Sequence, residues 1–259
     1  MAAKGGIKIN NELEGIYALW KRELIRFFRS KSRVVGSFGM PFFFLAILGT
    51  GFNSAFSIAG GGNYLQFMTP GIVGMVLMFG SIFSGVMVIM DRQFGFLKET
   101  LVAPVSRLSI VVGKALGGAT TAVIQGILIM VIAMLLGATV DLSSFILLIG
   151  FMFLISLMFV SLGIAIASVM EDMHGFQLIM NFLIMPLFFL SGALFPLSSA
   201  PDVLKIIAAA DPLTYGVDGL RNLLTCGPIS GFVMPLAVIL TFTAIFVVLA
   251  IYAFNRIEE

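Results

Sequence analysis

Long apolar runs separated by short polar connectors set the pattern of hydrophobic and polar positions along this chain. Six of these runs approach the roughly 20 residues that an α-helix needs to cross the hydrocarbon layer of a membrane. They lie at residues 34–56, 65–90, 108–136, 144–169, 176–193 and 230–254. None shows the alternation of apolar and polar residues that marks a transmembrane barrel. The pattern therefore predicts an all-α, polytopic membrane protein whose six transmembrane helices make up one domain, residues 34–259.

Residues 1–33 form a second, more polar segment ahead of the first apolar run. Over residues 13–28, apolar side chains recur at steps of three and four, which places them along one face of a helix. Trp20 lies on that face, and Arg22 and Arg26 are among the basic residues on the remaining surface. The pattern is typical of an interfacial amphipathic helix that lies along a headgroup layer. The alternative is a helix packed against a partner protein.

Composition and charge narrow the class of protein further. Hydrophobic residues make up 59% and charged residues 11% of the 259 positions, a balance that excludes a soluble globular domain. Although the net charge is +2, eight of the fifteen Lys and Arg residues precede residue 34, beside the first apolar run. Basic residues in that place set topology and contact anionic headgroups, so the excess does not indicate a nucleic-acid partner.

Basic residues also distinguish the two sides of the predicted spans. The connectors at 57–64 and 137–143 contain no Lys or Arg, whereas the connector at 91–107 contains Arg92, Lys98 and Arg107. The positive-inside rule therefore predicts that the N-terminus, the 91–107 connector and the C-terminal tail lie on the cytoplasmic side of the cell membrane. Six spans are consistent with both termini lying on that side.

The 91–107 connector interleaves charged and apolar side chains. Gly95 supplies a hinge, and Pro104 ends any helix because it lacks a backbone donor. The pattern predicts a short amphipathic helix that docks on another surface, and an ordinary basic interhelical loop is the alternative. The charged residues are Asp91, Arg92, Lys98 and Glu99, and the apolar ones include Phe94, Phe96, Leu97, Leu101 and Val102.

The connector from 191 to 227 differs from the others because glycine and proline break a moderately apolar segment. One short helix is predicted at residues 203–210. A second opens at Asp211, whose carboxylate can accept free amide hydrogens, and Pro212, which fits the first helical position. Broken backbone is tolerated at membrane depth only when it is buried in protein or faces water. We therefore predict an external re-entrant helical hairpin between spans five and six, with a plain external loop as the alternative.

Two strings within these connectors resemble one protein family. The first, DRQFGFLKETLVAPVSR at 91–107, is similar to the cytoplasmic loop of the type-2 ATP-binding-cassette permeases, especially the daunorubicin-resistance-like exporter branch. The second, DPLTYGVDGLR at 211–221, is similar to a string near the end of the same permeases, which usually have Asn in place of Asp211. Many members also read Gly-Thr-Leu-Glu where this chain has Gly-Phe-Leu-Lys at 95–98.

The resemblance implies the permease subunit of an ATP-driven exporter that moves a hydrophobic or amphipathic drug, antibiotic or lipid-linked glycan. A separate ATPase subunit, in two copies, would use ATP and Mg²⁺, and this chain would bind no cofactor or metal itself. The ATPase-coupling residues would be Asp91, Arg92, Gly95, Phe96, Leu97, Lys98, Glu99, Leu101, Pro104 and Arg107. The residues shaping an external gate would be Pro186, Gly192, Phe195, Pro196, Asp211, Pro212, Asp218 and Arg221.

Other classes of function fit the residues less well. No Gly-x-x-x-x-Gly-Lys-Ser/Thr loop occurs, so this chain is not expected to be an ATPase. An ion-coupled secondary transporter or a channel is the alternative, but the predicted spans carry acidic residues only at their ends. A metal site or an intramembrane protease would have to use His174, the single histidine, which lies in a polar cytoplasmic turn.

Six spans are also too few to surround a pathway wide enough for such a cargo. A homodimer with twelve spans is therefore expected, surrounded by membrane lipid. Gly113 and Gly117 have the small-x-x-x-small spacing that lets helices approach closely, within one copy or between two.

Overall fold

The computed structural model describes residues 3–58, 62–96, 105–141, 143–170, 172–225 and 227–256, apart from the side chains of residues 3–10, 32, 33, 54, 55 and 199. Within these ranges the chain is helical and contains no strand, which confirms the all-α prediction for them. The α-helices are α1 (Ala3–Arg29), α2 (Lys31–Phe43), α3 (Asn53–Ile58), α4 (Tyr64–Ser84), α5 (Val86–Gln93), α6 (Arg107–Leu135), α7 (Phe145–Val169), α8 (Met173–Leu190), α9 (Asp202–Ala210), α10 (Pro212–Leu224) and α11 (Ile229–Asn255). A π-helical segment, Phe44–Gly49, follows α2, and a 3₁₀ turn, Leu197–Ser199, precedes α9.

Five helical stretches in the described chain are long and apolar enough to cross a membrane. They are Tyr64–Gln93, which combines α4 and α5, and the helices α6, α7, α8 and α11. These stretches match the predicted spans two to six within a few residues at each end. The match follows from the length of each apolar run, because a helix of about 20 residues covers the hydrocarbon thickness.

The first predicted span, 34–56, differs from the others because its helix contains a π-helical segment, and the structure leaves this span unconfirmed. Helix α2 passes into the π-helical segment and then into the short α3. Pro41 lies inside α2 and removes a backbone donor, and the wider π turn begins three residues later. Asn11–Arg29 and Val34–Gly49 form a pair of helices with a bend of 70° between them. The described residues thus contain five candidate spans, or six if this bent pair is one span.

Helix α7 lies at the centre of the bundle, where it packs against α4, α5, α6, α10 and α11. Phe159 of α7 is fully buried. A Cβ on Gly85, at the junction of α4 and α5, would lie 2.4 Å from the carbonyl oxygen of Gly163 on α7. The backbones of the junction and of α7 are therefore in direct contact. By contrast, α8 and α11 leave large apolar side chains exposed, including Phe182 and Val248.

Helix α1 packs along the first half of α6. At the start of α6 and in the first half of α1, the Ser106 amide and hydroxyl donate to the Glu12 carboxylate at 2.9 and 2.8 Å. Further along, Trp20 Nε1 donates to Thr120 Oγ1 at 3.1 Å. The contacts advance in the same order along both helices, so α1 and α6 run parallel.

Gly113 and Gly117 lie at this contact between α1 and α6. A Cβ on Gly113 would lie 2.9 Å from the Cβ of Leu19, and one on Gly117 would lie 2.7 Å from the Cβ of Glu23. Small residues at this spacing let two helix backbones approach closely. Of the two roles predicted for the glycine pair, the structure supports packing within one copy of the chain.

The connectors gather at two opposite ends of the bundle. At one end, Arg107 Nη1 donates to the carbonyl oxygen of Asn255 at 2.9 Å, so α1, the 91–107 connector and the end of α11 lie together. At the other end, the amide of Asp141 donates to the carbonyl oxygen of Leu224 at 3.3 Å. We call these the loop end and the hairpin end. The connectors that lie together at each end are those that the charge pattern placed on one side of the membrane.

The two short helices predicted in the last connector are present as α9 and α10. Helix α10 buries Leu213, Val217 and Leu220, and it packs against α4, α7 and α11. Helix α9 is largely exposed, with Ile206 at 73%. Because α10 lies between long helices, its position favours the re-entrant hairpin over a plain loop.

Candidate functional site

An ion-pair network lies at the loop end, where α1, α5 and α6 meet. Asp91 of α5 contacts the ammonium group of Lys114 on α6. Its Oδ1 lies 3.2 Å from Nη2 of Arg22 and 3.3 Å from Nη2 of Arg26, both on α1. Asp91 and Lys114 are only 2% and 4% exposed. We call these four residues the Asp91 network.

The Asp91 network holds one carboxylate against three cations. Arg26 also reaches a second carboxylate, that of Glu23, at 3.5 Å. Taking charges out of water is costly, and their mutual attraction offsets that cost only while every charge keeps a partner. Because the partners belong to three helices, a movement of α5 relative to α1 or α6 would separate buried charges. The network therefore couples the positions of the three helices.

The Asp91 network lies near the ends of its helices. Helix α6 has 29 residues, a length of roughly 44 Å at 1.5 Å per residue. This exceeds a hydrocarbon thickness of about 30 Å, so the first turns of α6 can extend beyond it. Lys114 lies on the third turn, and Asp91 lies near the end of the 30-residue stretch Tyr64–Gln93.

The chain turns sharply where α5 ends, beside the Asp91 network. Gly95 has a φ of +79°, a left-handed conformation that strains other residues, in agreement with the predicted hinge. Phe94 and Phe96 flank it and are 68% and 48% exposed. The guanidinium of Arg22 lies 5.3 Å from the centroid of the Phe96 ring. The exposed turn is thus in contact with the half-buried Arg22 of the network.

The other predicted coupling residues have different positions. Asp91 is buried among protein charges and does not lie on an exposed face. Arg92 and Arg107 are half-buried at the two ends of the connector. The short helix predicted between them stays a prediction, since its residues lie outside the described chain: Leu97, Lys98, Glu99, Leu101 and Pro104.

The three residues predicted to hold α1 at the headgroups have protein partners in the structure. Trp20 bonds to Thr120, and Arg22 and Arg26 pair with Asp91. Part of the basic face of α1 is therefore turned towards α5 and α6. Contact between α1 and lipid headgroups stays a prediction.

Arg221 of α10 connects three elements at the hairpin end. Its Nη1 donates to Asp218 at 3.0 Å, and its Nη2 donates to the carbonyl oxygen of Gly192 at 3.0 Å. The guanidinium also lies 4.5 Å from the ring centroid of Phe67 on α4. Gly192 has a φ of +70°, which favours glycine at this position. The structure thus brings together three predicted gate residues and adds Phe67.

Asp211 caps α10 as predicted. Its carboxylate accepts hydrogen bonds from the Leu213 amide at 2.8 Å and the Thr214 hydroxyl at 3.4 Å. The residue is 3% exposed. Burial raises the pKa of Asp211 to about 7, although the two hydrogen bonds oppose the shift. The carboxyl group therefore gains and loses a proton near neutral pH.

The remaining predicted gate residues are dispersed. Pro212 is buried in the first turn of α10, and Pro186 lies inside α8 on its exposed surface. Phe195 is 38% exposed, and Pro196 precedes the 3₁₀ turn. His174 is exposed at the start of α8, and no group of three or more metal-binding side chains occurs in the part of the chain that the structure describes.

Sequence reasoning missed two members of these clusters. Lys114 lies within an apolar run, and a cation in such a place signals a buried partner, although the run does not identify Asp91 as that partner. Phe67 gives no signal, because phenylalanine is common throughout the spans. Both contacts depend on how two helices are aligned with each other.

Comparison with known proteins gives a consistent result over most of the chain. A family model described as ABC-2 type transporter matches residues 14–225. A protein named as transport permease ycf38, from Cyanophora paradoxa, is 33% identical over 215 residues, which cover 82% of this chain and 74% of that protein. Nodulation protein J from Rhizobium leguminosarum bv. trifolii is 29% identical over 215 residues, which cover 82% of each protein. The two matching strings and these similarities agree, and the chain belongs to the ABC-2 type transporter family.

Proposed function

We propose that this chain is the permease subunit of an ATP-driven exporter, coupled at its loop end to a separate ATPase subunit. The observation that carries the proposal is the exposed turn at Phe94 and Phe96, which contacts the Asp91 network through Arg22. Exposed phenylalanines rimmed by charged residues are typical of a protein-binding surface. The ATPase would dock on this turn and on the residues that follow it.

Movement of the docked turn would be transmitted through the Asp91 network. Helix α5 continues the span beyond Gly85 and ends beside the turn, so a push on the turn would reach Asp91 through α5. Displacing Asp91 would pull on Lys114 of α6 and on Arg22 and Arg26 of α1. Ion pairs that must stay intact therefore convert a local push into a shift of two further helices.

The assembly proposed is a homodimer of this chain with two ATPase subunits. The exposed apolar faces of α8 and α11 would contact lipid and the second copy. The chain lacks an ATP-binding loop, so ATP and Mg²⁺ would be used by the ATPase. The loop end would face the cytoplasm and the hairpin would lie re-entrant at the external side, with a hydrophobic or amphipathic compound as cargo.

Docking is tested by replacing an exposed aromatic side chain at each end of the bundle. Phe94→Ala should weaken co-purification with the ATPase by about ten- to a hundredfold, because a buried phenylalanine contributes roughly 1.5–3 kcal/mol. Phe195→Ala, at the hairpin end, is the matched control and should leave co-purification unchanged. Equal binding by wild type and Phe94→Ala would overturn this docking surface.

The energy source is tested separately in inverted vesicles that contain both subunits. Export should stop when ATP is withdrawn while the ion gradients are held constant, and the chain alone should hydrolyse no ATP. Transport that persists without ATP would favour the alternative, an ion-coupled carrier or channel.

A further inference from the structure

A cavity of about 500 Å³ lies between α1, α2, α4, α5 and α6. Its walls are largely apolar and include Met75, Phe79 and Phe83 of α4. Gly36 and Met40 of α2 border the cavity and are exposed, so it opens on the side of α2. Its volume falls within the range of about 300–1,000 Å³ that is usual for small-molecule pockets.

Gln125 of α6 gives this cavity an amide group. Its side chain lines the cavity and is 6% exposed. A Cβ on Gly80, which also lines the cavity, would lie 2.7 Å from Oε1 of Gln125. Neither polar atom of the Gln125 amide is among the fully buried side-chain atoms that lack a partner in the described chain, so the amide keeps contact with the cavity. A ligand in the cavity can therefore bond to it.

The charges at the cavity are already paired. Glu23 and Arg26 line it and approach each other to 3.5 Å, and Arg26 also pairs with Asp91. A charged ligand would therefore find no free counter-charge among the described lining residues, and its desolvation would be costly. A neutral group that hydrogen-bonds to Gln125 avoids that cost.

We propose that this cavity binds a neutral amphipathic molecule, with its apolar body along the phenylalanine and methionine walls and a hydroxyl, ester or amide group on Gln125. Such a molecule has two possible sources, a neutral lipid of the bilayer or a transported cargo. As a cargo site, the cavity rests on the proposed export function. As a binding site it does not, because binding requires no ATPase.

The probe is a monolauroylglycerol that carries a photoactivatable diazirine in its acyl chain. The full chain is placed in phosphatidylcholine nanodiscs without ATPase or nucleotide, irradiated, and digested for mass spectrometry. Labelling should saturate and concentrate on cavity residues such as Met40, Met75 and Phe79. Labelling that rises linearly with probe concentration and spreads over α8 and α11 would overturn the proposal.

Two glycines of α2 provide a matched pair of variants. Neither Gly36 nor Gly39 has an atom within 4 Å of the position that a Cβ would occupy, but only Gly36 lines the cavity. Gly36→Phe should fill the cavity and reduce labelling at least tenfold, whereas Gly39→Phe should leave it unchanged. If Gly36→Phe does not fold, Met40→Trp serves as the filling variant and Phe43→Trp as its control. Equal loss in the filling variant and its control would overturn the proposal.

Gln125→Leu tests recognition of the polar group. For the glycerol probe, the half-saturating concentration should rise roughly three- to tenfold, the range expected for one lost hydrogen bond. For a diazirine-labelled dodecane, which lacks the polar group, it should not change. An equal effect on both probes would contradict a bond to Gln125.

Lipid analysis of the purified chain separates the two sources of ligand. A neutral lipid that co-purifies with wild type and is lost from Gly36→Phe identifies a resident lipid. Saturable labelling without any co-purifying neutral lipid identifies a site for cargo. Both results support the site, and neither depends on the ATP requirement measured above.

Discussion

Asp91 has three charged partners at the loop end, and Lys114 is one of them. Lys114→Met leaves Asp91 with two guanidinium partners at 3.2 and 3.3 Å, whereas Asp91→Asn leaves the buried Lys114 without its carboxylate. An uncompensated buried charge costs about 3–5 kcal/mol. Asp91→Asn should therefore lower the thermal unfolding midpoint in detergent more than Lys114→Met does. The reverse order would show that the network is not centred on Asp91.

Asp211 makes stability depend on pH in a direction that is unusual for a carboxylate. Its pKa is about 7 in the folded chain and 3.8 by default, so between these values the folded state holds a proton that the unfolded state has lost. The contribution is full below about pH 4 and is lost as the pH rises through 7. The free energy of unfolding should therefore be lower at pH 8 than at pH 5 by an amount on the order of a few kcal/mol, and wild type should unfold at a lower temperature at pH 8.

Asp211→Asn is the matched test, because an uncharged amide can still cap α10. It should remove this part of the pH dependence and unfold at a higher temperature than wild type at pH 8. The same pH dependence in both proteins would contradict the raised pKa. Asn is also the residue that the resembling permeases usually have at this position.

These residues also mark the limit of inference from sequence. The cap at Asp211 was predictable, because it depends only on neighbours within one turn of helix. The pair between Asp91 and Lys114 was not, because residues 23 apart meet only once α5 and α6 are aligned. Sequence patterns report local periodicity and say little about the alignment of separate helices.

At the scale of whole elements, the contact between α1 and α6 can be opened at one glycine. A side chain at Gly117 would overlap Glu23, so Gly117→Leu should displace α1. Trp20 is the single tryptophan and bonds to Thr120 across this contact, so its fluorescence reports the displacement. Quenching by acrylamide should increase in Gly117→Leu. Gly150→Leu, at an exposed position of α7 with open space around it, should leave quenching unchanged.

The long helices were predictable because their apolar runs exceed the length that a membrane requires. The partner of α1 was not, since an apolar stripe fits a lipid surface and a neighbouring helix equally well. Gly113 and Gly117 were the available clue, and the structure identifies α1 as the helix that they contact. The π-helical segment in the first span follows Pro41, and the effect of a proline on a helix depends on its packing.

For the whole molecule, the separation of loop end and hairpin end predicts which positions share a side of the membrane. Single cysteines can be introduced after Cys226→Ser at Phe94, Arg256 and Asp202, whose side chains are exposed. A membrane-impermeant maleimide should label the first two only in inverted vesicles and the third only in intact cells. Labelling of positions 94 and 256 on opposite sides would contradict the arrangement of the helices. Labelling of both in intact cells would keep that arrangement but reverse its orientation, and an ATPase in the cytoplasm could then not reach the turn at Phe94.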